Sequence, residues 1–158
     1  MVSYEKVRQA LRTSTIAVAV LNILSIILGL FGILSALSLR RAIQNGTIEQ
    51  YKLSAKELAA IKQSITSTAI MITVVVVIIN ITIAVFCFIN LSKLRQEQTV
   101  SSIPYYLGLA VSTFNIAYFL IFNQLAVLPL LIQAAYIVLY FYAIQKARTL
   151  AGKEKEEE

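Results

Sequence analysis

The sequence predicts an all-α protein, an integral membrane four-helix bundle running up-down-up-down with a long protruding hairpin between spans one and two. Three observations predict it. The 14 basic and 8 acidic residues all lie outside three neutral runs. These runs hold 27 residues between Arg12 and Arg40, 30 between Lys62 and Lys93, and 48 between Glu97 and Lys146. A spanning helix needs about 20 apolar residues to cross a hydrocarbon core roughly 30 Å thick. The first two runs therefore give one span each, and the third gives two, folded on the polar break Asn123-Gln124. Composition agrees: 58% of residues are apolar, 14% are charged, and the mean hydropathy is +0.76. Soluble domains average about 45–50% apolar and 25% charged. Finally, no piece outside the spans can build its own core, so residues 1–158 read as a single membrane domain.

Span one covers about 14–39. Asn22, Ser25, Gly29, Gly32 and Ala36 recur there in steps of three and four, which places them on one helix face. Small residues along one face let a second backbone approach closely, and in lipid that close packing is what holds helices together. The stripe is therefore a helix-packing seam.

Span two covers about 66–92. Its run of β-branched residues from Ile72 to Ile79 would suggest a buried strand in water, but its length favours a membrane helix. Thr66, Ala69, Thr73, Val76, Asn80, Ile83, Cys87 and Asn90 share the smaller, more polar face. Thr73, Asn80 and Cys87 are assigned to the seam, so spans one and two are expected to pack seam to seam.

The segment 40–65 is read as the extramembrane hairpin tip. Asn45-Gly46 should end the first helix, because glycine accepts the left-handed C′ conformation. Ser54-Ala55-Lys56-Glu57 fits a capping box. The helical period that follows predicts one helix from about Ala55 to Ser92, roughly 57 Å long at 1.5 Å per residue.

Span three, about 104–122, starts at Pro104, a favoured first-turn residue. It carries Gly108, Ser112 and Asn115 on one face, with Gly108 and Ser112 in the seam. Span four, about 126–145, has Pro129 in its first turn and Gln133, Tyr136, Tyr140 and Ala143 on one face. Asn22, Asn80, Asn115, Gln133 and Tyr136 form the candidate polar interior. Counted from the shared break, Asn115 and Gln133 sit at a common depth of about 10–12 Å and could bond across the pair. Asn22 and Asn80 lie within roughly 5 Å of each other in depth. Without tryptophan, the interfacial aromatic belt must be tyrosine, namely Tyr105, Tyr106, Tyr140 and Tyr142. Residues 146–158 form a solvated charged tail.

Nine basic residues fall on the side of the termini and five on the other. The basic-residue rule therefore places both termini in the cytoplasm. The first apolar run is too long for a signal-peptide core and should stay as the first span. Asn45-Gly46-Thr47 matches a glycosylation sequon, read as a chance match. The net charge of +6 is dispersed at span ends, which suits anionic headgroups rather than nucleic acid.

The chemistry excluded is as informative. There is no histidine and no aspartate, and the single Cys87 has no partner thiol. No metal set, acid–base pair or phosphate-cradling loop is present, so the expectation is no enzyme and no cofactor. No carboxylate lies inside a span, which disfavours proton-coupled transport. Tetraspan and tight-junction proteins would require extracellular cysteines that these loops lack. The leading reading is a small polytopic protein working by helix association. It would be an accessory, regulatory or immunity-type subunit, or a homo-oligomeric structural protein. Its partners are then the lipid bilayer and a membrane protein or a second copy. A small channel, holin-like pore or uncoupled transporter is the rival. Lipid or apolar-ligand binding between the spans, along Tyr118, Tyr136 and Tyr140, is a third reading.

Overall fold

The computed structural model describes residues 4–121 and 127–157, and among them it is all-helical with no strand. Five α-helices follow in order: α1 (Tyr4–Gln44), α2 (Ala55–Ser64), α3 (Ser67–Arg95), α4 (Ile103–Ile121) and α5 (Val127–Glu157). A 3₁₀ segment, Thr47–Tyr51, lies between α1 and α2. Four helical stretches are long and apolar enough to cross a membrane: α1, α3, α4 and Val127–Gly152 of α5. The break expected at Asn123-Gln124 and the adjoining span ends lie outside the described residues.

The helices are bounded by local chemistry. Helix α1 stops at Gln44, and Gly46 follows with φ 70°, the left-handed C′ position that glycine occupies without a Cβ penalty. Helix α2 opens with the expected capping box. The Ser54 Oγ accepts from the Glu57 amide at 3.3 Å, and Glu57 Oε2 accepts from the Ser54 amide at 2.8 Å. The 3₁₀ turn was not expected. The left-handed residues Gly46 and Lys52 bracket it, and buried Ile48 anchors it.

One expected helix, about Ala55 to Ser92, is two. The chain leaves the helix at Ile65 and Thr66. Ser64 Oγ donates to the Ile61 carbonyl at 2.8 Å, and Thr66 Oγ1 accepts from the Ala69 amide at 3.2 Å. Short hydroxyl side chains compete with the backbone ladder in this way, so Thr66 acts as an N-cap for α3. The apolar period continued across the break and concealed it.

The chain divides into two compact units. One comprises Met1–Ile23 and Asn80–Glu158, the other Leu24–Ile79. The first holds most of the buried residues. Val7, Leu11, Val18 and Asn22 of α1 are buried there. So are Ile83, Cys87, Asn90 and Leu94 of α3, Tyr105 and Ser112 of α4, and Tyr140, Ala143, Ala147 and Leu150 of α5. The spacing of three and four in each helix turns one face inward. Ala147 and Leu150 lie beyond the expected end of span four, and α5 stays helical to Glu157. The segment 146–158, expected as a solvated charged tail, thus begins as core at Ala147 and Leu150. Its Arg148 and Thr149 point outward while the buried face continues.

In the second unit, Ile48, Ile65 and Val77 are the buried apolar residues among those described. Leu28, Phe31, Leu34 and Met71 are each more than 60% exposed. Arg40 Nη1 donates to Ser67 Oγ at 3.0 Å, joining the end of α1 to the start of α3.

The Ser54 hydroxyl and amide hold the Glu57 carboxyl below its ordinary value of 4.5. A lowered value means that the cap is complete above the unfolded-state value and is lost as pH falls through the folded one. The Ser54 amide resonance should therefore titrate with a midpoint below 4.5, and Glu57→Gln should abolish the transition. A midpoint at or above the ordinary value would contradict the cap.

Candidate functional site

The polar side chains of the first unit make two interhelical clusters, each built from ordinary helix positions. In the first, Asn22 of α1 uses both amide hydrogens. It donates to the Val18 carbonyl and to the Tyr140 hydroxyl of α5, both at 2.8 Å. Tyr136, one turn earlier on α5, donates to the Leu21 carbonyl at 3.2 Å and stacks on Tyr140 with ring centroids 6.1 Å apart. The Tyr140 ring can reach Asn22 because Gly108 of α4 gives it room. A Cβ on Gly108 would collide with that ring.

The second cluster lies toward the end of α3. Asn90 reads the backbone of Ser101 twice: it accepts from the amide at 3.0 Å and donates to the carbonyl at 2.7 Å. The same amide donates to Tyr105 Oη at 3.4 Å, and Tyr105 Oη lies 2.6 Å from Thr15 Oγ1. Thr15 Oγ1 in turn donates to the Leu11 carbonyl at 2.7 Å. The hydrogen bonds therefore run one way, from Asn90 through Tyr105 and Thr15 to a helix carbonyl. This chain fixes the α3–α4 connection and links it to α1.

The expected seam residues fall into distinct environments. Asn22, Cys87, Gly108 and Ser112 are buried, as is Asn80. Ser25 and Ala36 are half-buried, and so is Thr73, whose Oγ1 donates to the Ala69 carbonyl at 2.9 Å. Gly29 lies against Val77 within the second unit, where an added Cβ would sit 2.5 Å from Val77 Cγ2. An added Cβ on Gly32 would meet nothing within 4 Å.

Other expected pairings differ. Asn115 and Gln133 are half-buried, and among the described residues no hydrogen bond joins them to each other or to another residue. Asn22 bonds Tyr140 rather than Asn80. Equal depth does not give equal azimuth, and a helix at 3.6 residues per turn separates the two. Of the four belt tyrosines, Tyr105 and Tyr140 are buried, while Tyr106 and Tyr142 are exposed. The exposed pair meets basic residues: the Arg148 guanidinium bonds the Tyr106 hydroxyl, and Lys146 Nζ lies 5.2 Å from the Tyr142 ring.

Thr15 and Asn90 were not among the sequence-predicted site residues. Asn90 was visible as the last polar residue on its α3 face, but its partners are backbone atoms in a loop. Among the described residues, no three His, Cys, Asp or Glu side chains group as metal ligands.

These contacts predict a graded glycine series. Gly108→Ala should cost about 1–3 kcal/mol by overpacking, whereas Gly32→Ala should be neutral, read by denaturant unfolding in micelles. Equal effects at both sites would contradict the packing. A double-mutant cycle on Asn22→Leu and Tyr140→Phe should return a coupling of about 0.6–2 kcal/mol; additivity would mean the bond contributes nothing.

Comparison of the chain with known proteins returns no matching family model, no similar curated protein and no similar solved structure.

Proposed function

We propose that this chain is a four-span membrane protein that works by association with other transmembrane helices, from a partner subunit or a second copy. Support begins with its surface. Four long helices expose Leu28, Phe31, Met71, Leu120, Leu128 and Val138, each at least 55% accessible. Leaving such surface in water costs roughly 25 cal/mol per Å², a cost that lipid tails remove. In this reading the helices run up-down-up-down, and the 3₁₀ segment and α2 protrude on the side opposite the termini. The basic-residue excess puts the termini in the cytoplasm.

The observation that carries association is two half-buried amides on apolar helices that bond no described residue. Asn115 and Gln133 make no hydrogen bond among the described residues, whereas Asn22 donates both its amide hydrogens and Asn90 bonds through both its nitrogen and its oxygen. An amide facing hydrocarbon is costly, and in membranes such side chains bond across helix interfaces. The engaged amides also bear on the pore alternative. Asn22 spends both its amide hydrogens inside the bundle, on the Val18 carbonyl and the Tyr140 hydroxyl, so its amide nitrogen does not offer a polar wall.

Crosslinking or native mass measurement in lipid nanodiscs tests this reading directly. A dimer or a co-purifying partner is expected, and Gln133→Leu should weaken the complex about three- to thirty-fold, equivalent to about 0.6–2 kcal/mol. A strict monomer with no partner would contradict association.

A further inference from the structure

The first turns of α1 and the end of α3 enclose an open cleft of about 700 Å³, lined by Arg8, Arg12, Arg95 and Glu97 among others. Arg8 is the unusual member. Its side chain is only 14% exposed, and its Nη1 donates to Glu97 Oε1 at 2.6 Å. Its Nε and Nη2 are buried and have no hydrogen-bond partner among the described residues. The Tyr4 ring centroid lies 5.5 Å from the guanidinium carbon. A ring over the face of a guanidinium does not accept its in-plane N–H groups. A buried cationic donor without an acceptor is a costly arrangement, and it calls for an anion.

Glu97 meets that demand only in part. It takes one of the Arg8 nitrogens, and its own side chain is 80% exposed. Its backbone has φ 61°, the left-handed region where glycine is usual just past a helix end. An exposed carboxylate is already largely hydrated, so on leaving Arg8 it gives up only a solvent-screened ion pair. A phosphate group brings more charge and three acceptor oxygens, matched to the planar fork of arginine. Arg12 and Arg95 add two further guanidinium groups, against the carboxylates of Glu5 and Glu97.

We infer that the Arg8–Arg12–Arg95 cleft binds a phosphate group, carried by a phosphomonoester lipid headgroup or by free phosphate, in exchange for the Glu97 carboxylate. The lipid source rests on the four-span reading, which puts this end of α1 and α3 at headgroup level. The phosphate chemistry does not depend on it.

The test uses the full chain in detergent micelles. Phosphatidic acid and phosphatidylcholine are titrated with native mass readout, and inorganic phosphate by calorimetry. One phosphatidic acid per chain is expected, at least tenfold preferred over phosphatidylcholine. Arg8→Gln and Arg95→Gln should each weaken binding about tenfold, and Arg8→Lys several-fold because the fork is lost. Lys146→Gln, outside the cleft, should change it less than twofold, and Glu97→Gln should tighten it. Inorganic phosphate binding with the same variant pattern, but no lipid preference, would assign the site to a soluble phosphate. Equal losses in all charge variants, or no binding of either ligand, would overturn the proposal. If Arg8→Gln fails to fold, Arg12→Gln and Arg95→Gln carry the same comparison. Carbonate extraction of native membranes judges the four-span reading separately, since an extractable chain contradicts it while the phosphate titration still judges the cleft.

Discussion

Hydrocarbon offers no hydrogen bonds, so a chain lying within it must answer its own N–H, C=O and hydroxyl groups. In the proposed bilayer setting this constraint organises the molecule from backbone to side chain. It makes the neutral runs helical, because a helix satisfies its backbone internally. It turns the hydroxyls of Thr13, Ser14, Thr15, Thr73 and Thr113 back onto carbonyls three or four residues earlier. It also sends the amides of Asn22 and Asn90 to partners on other segments. In the proposed reading, Asn115 and Gln133, which bond no described residue, are where another helix would bind.

The polar clusters and the apolar core occupy the same unit, and each supports the other. Gly108 makes room for the Tyr140 ring, and that ring delivers a hydroxyl to Asn22. Tyr105 sits against α1 through Thr15, while Asn90 holds the loop that leads into Tyr105. Hydrogen bonds there select which faces meet, and close packing supplies most of the attraction. The second unit has fewer buried residues, so its outer faces depend more on whatever surrounds them. In the proposed reading that is lipid or a partner helix.

Local features were legible in the residues, and distant ones were not. The Ser54–Glu57 box and the stop at Gly46 depend on side chains within three residues of their targets, so spacing alone identified them. The break at Ile65-Thr66 was hidden because an unbroken apolar period outweighed the cluster of hydroxyls that ends α2. Asn22 stood out as polar within an apolar span. Its partner Tyr140 lies 118 positions away, and no pattern along the chain pairs them. Tyrosine was read as an interfacial anchor, which suits Tyr106 and Tyr142. Tyr105 and Tyr140 are instead buried, their polar tips consumed by Thr15, Asn90 and Asn22. The partly buried Arg8 was counted only as a span-end charge, since burial of a guanidinium leaves no mark in sequence.

In the proposed reading, charge-free helices cross a bilayer and return, so that the α1–α2 connection and the α3–α4 connection would face opposite compartments. Labelling with a membrane-impermeant thiol reagent tests this most directly, using Thr47→Cys and Gln98→Cys separately in a Cys87→Ala background. Sealed inside-out and right-side-out vesicles should each expose one of the two positions and protect the other, with Gln98→Cys sharing the side of the termini. Labelling of both positions from the same side would mean that α3 does not span, and the account would be wrong at its base.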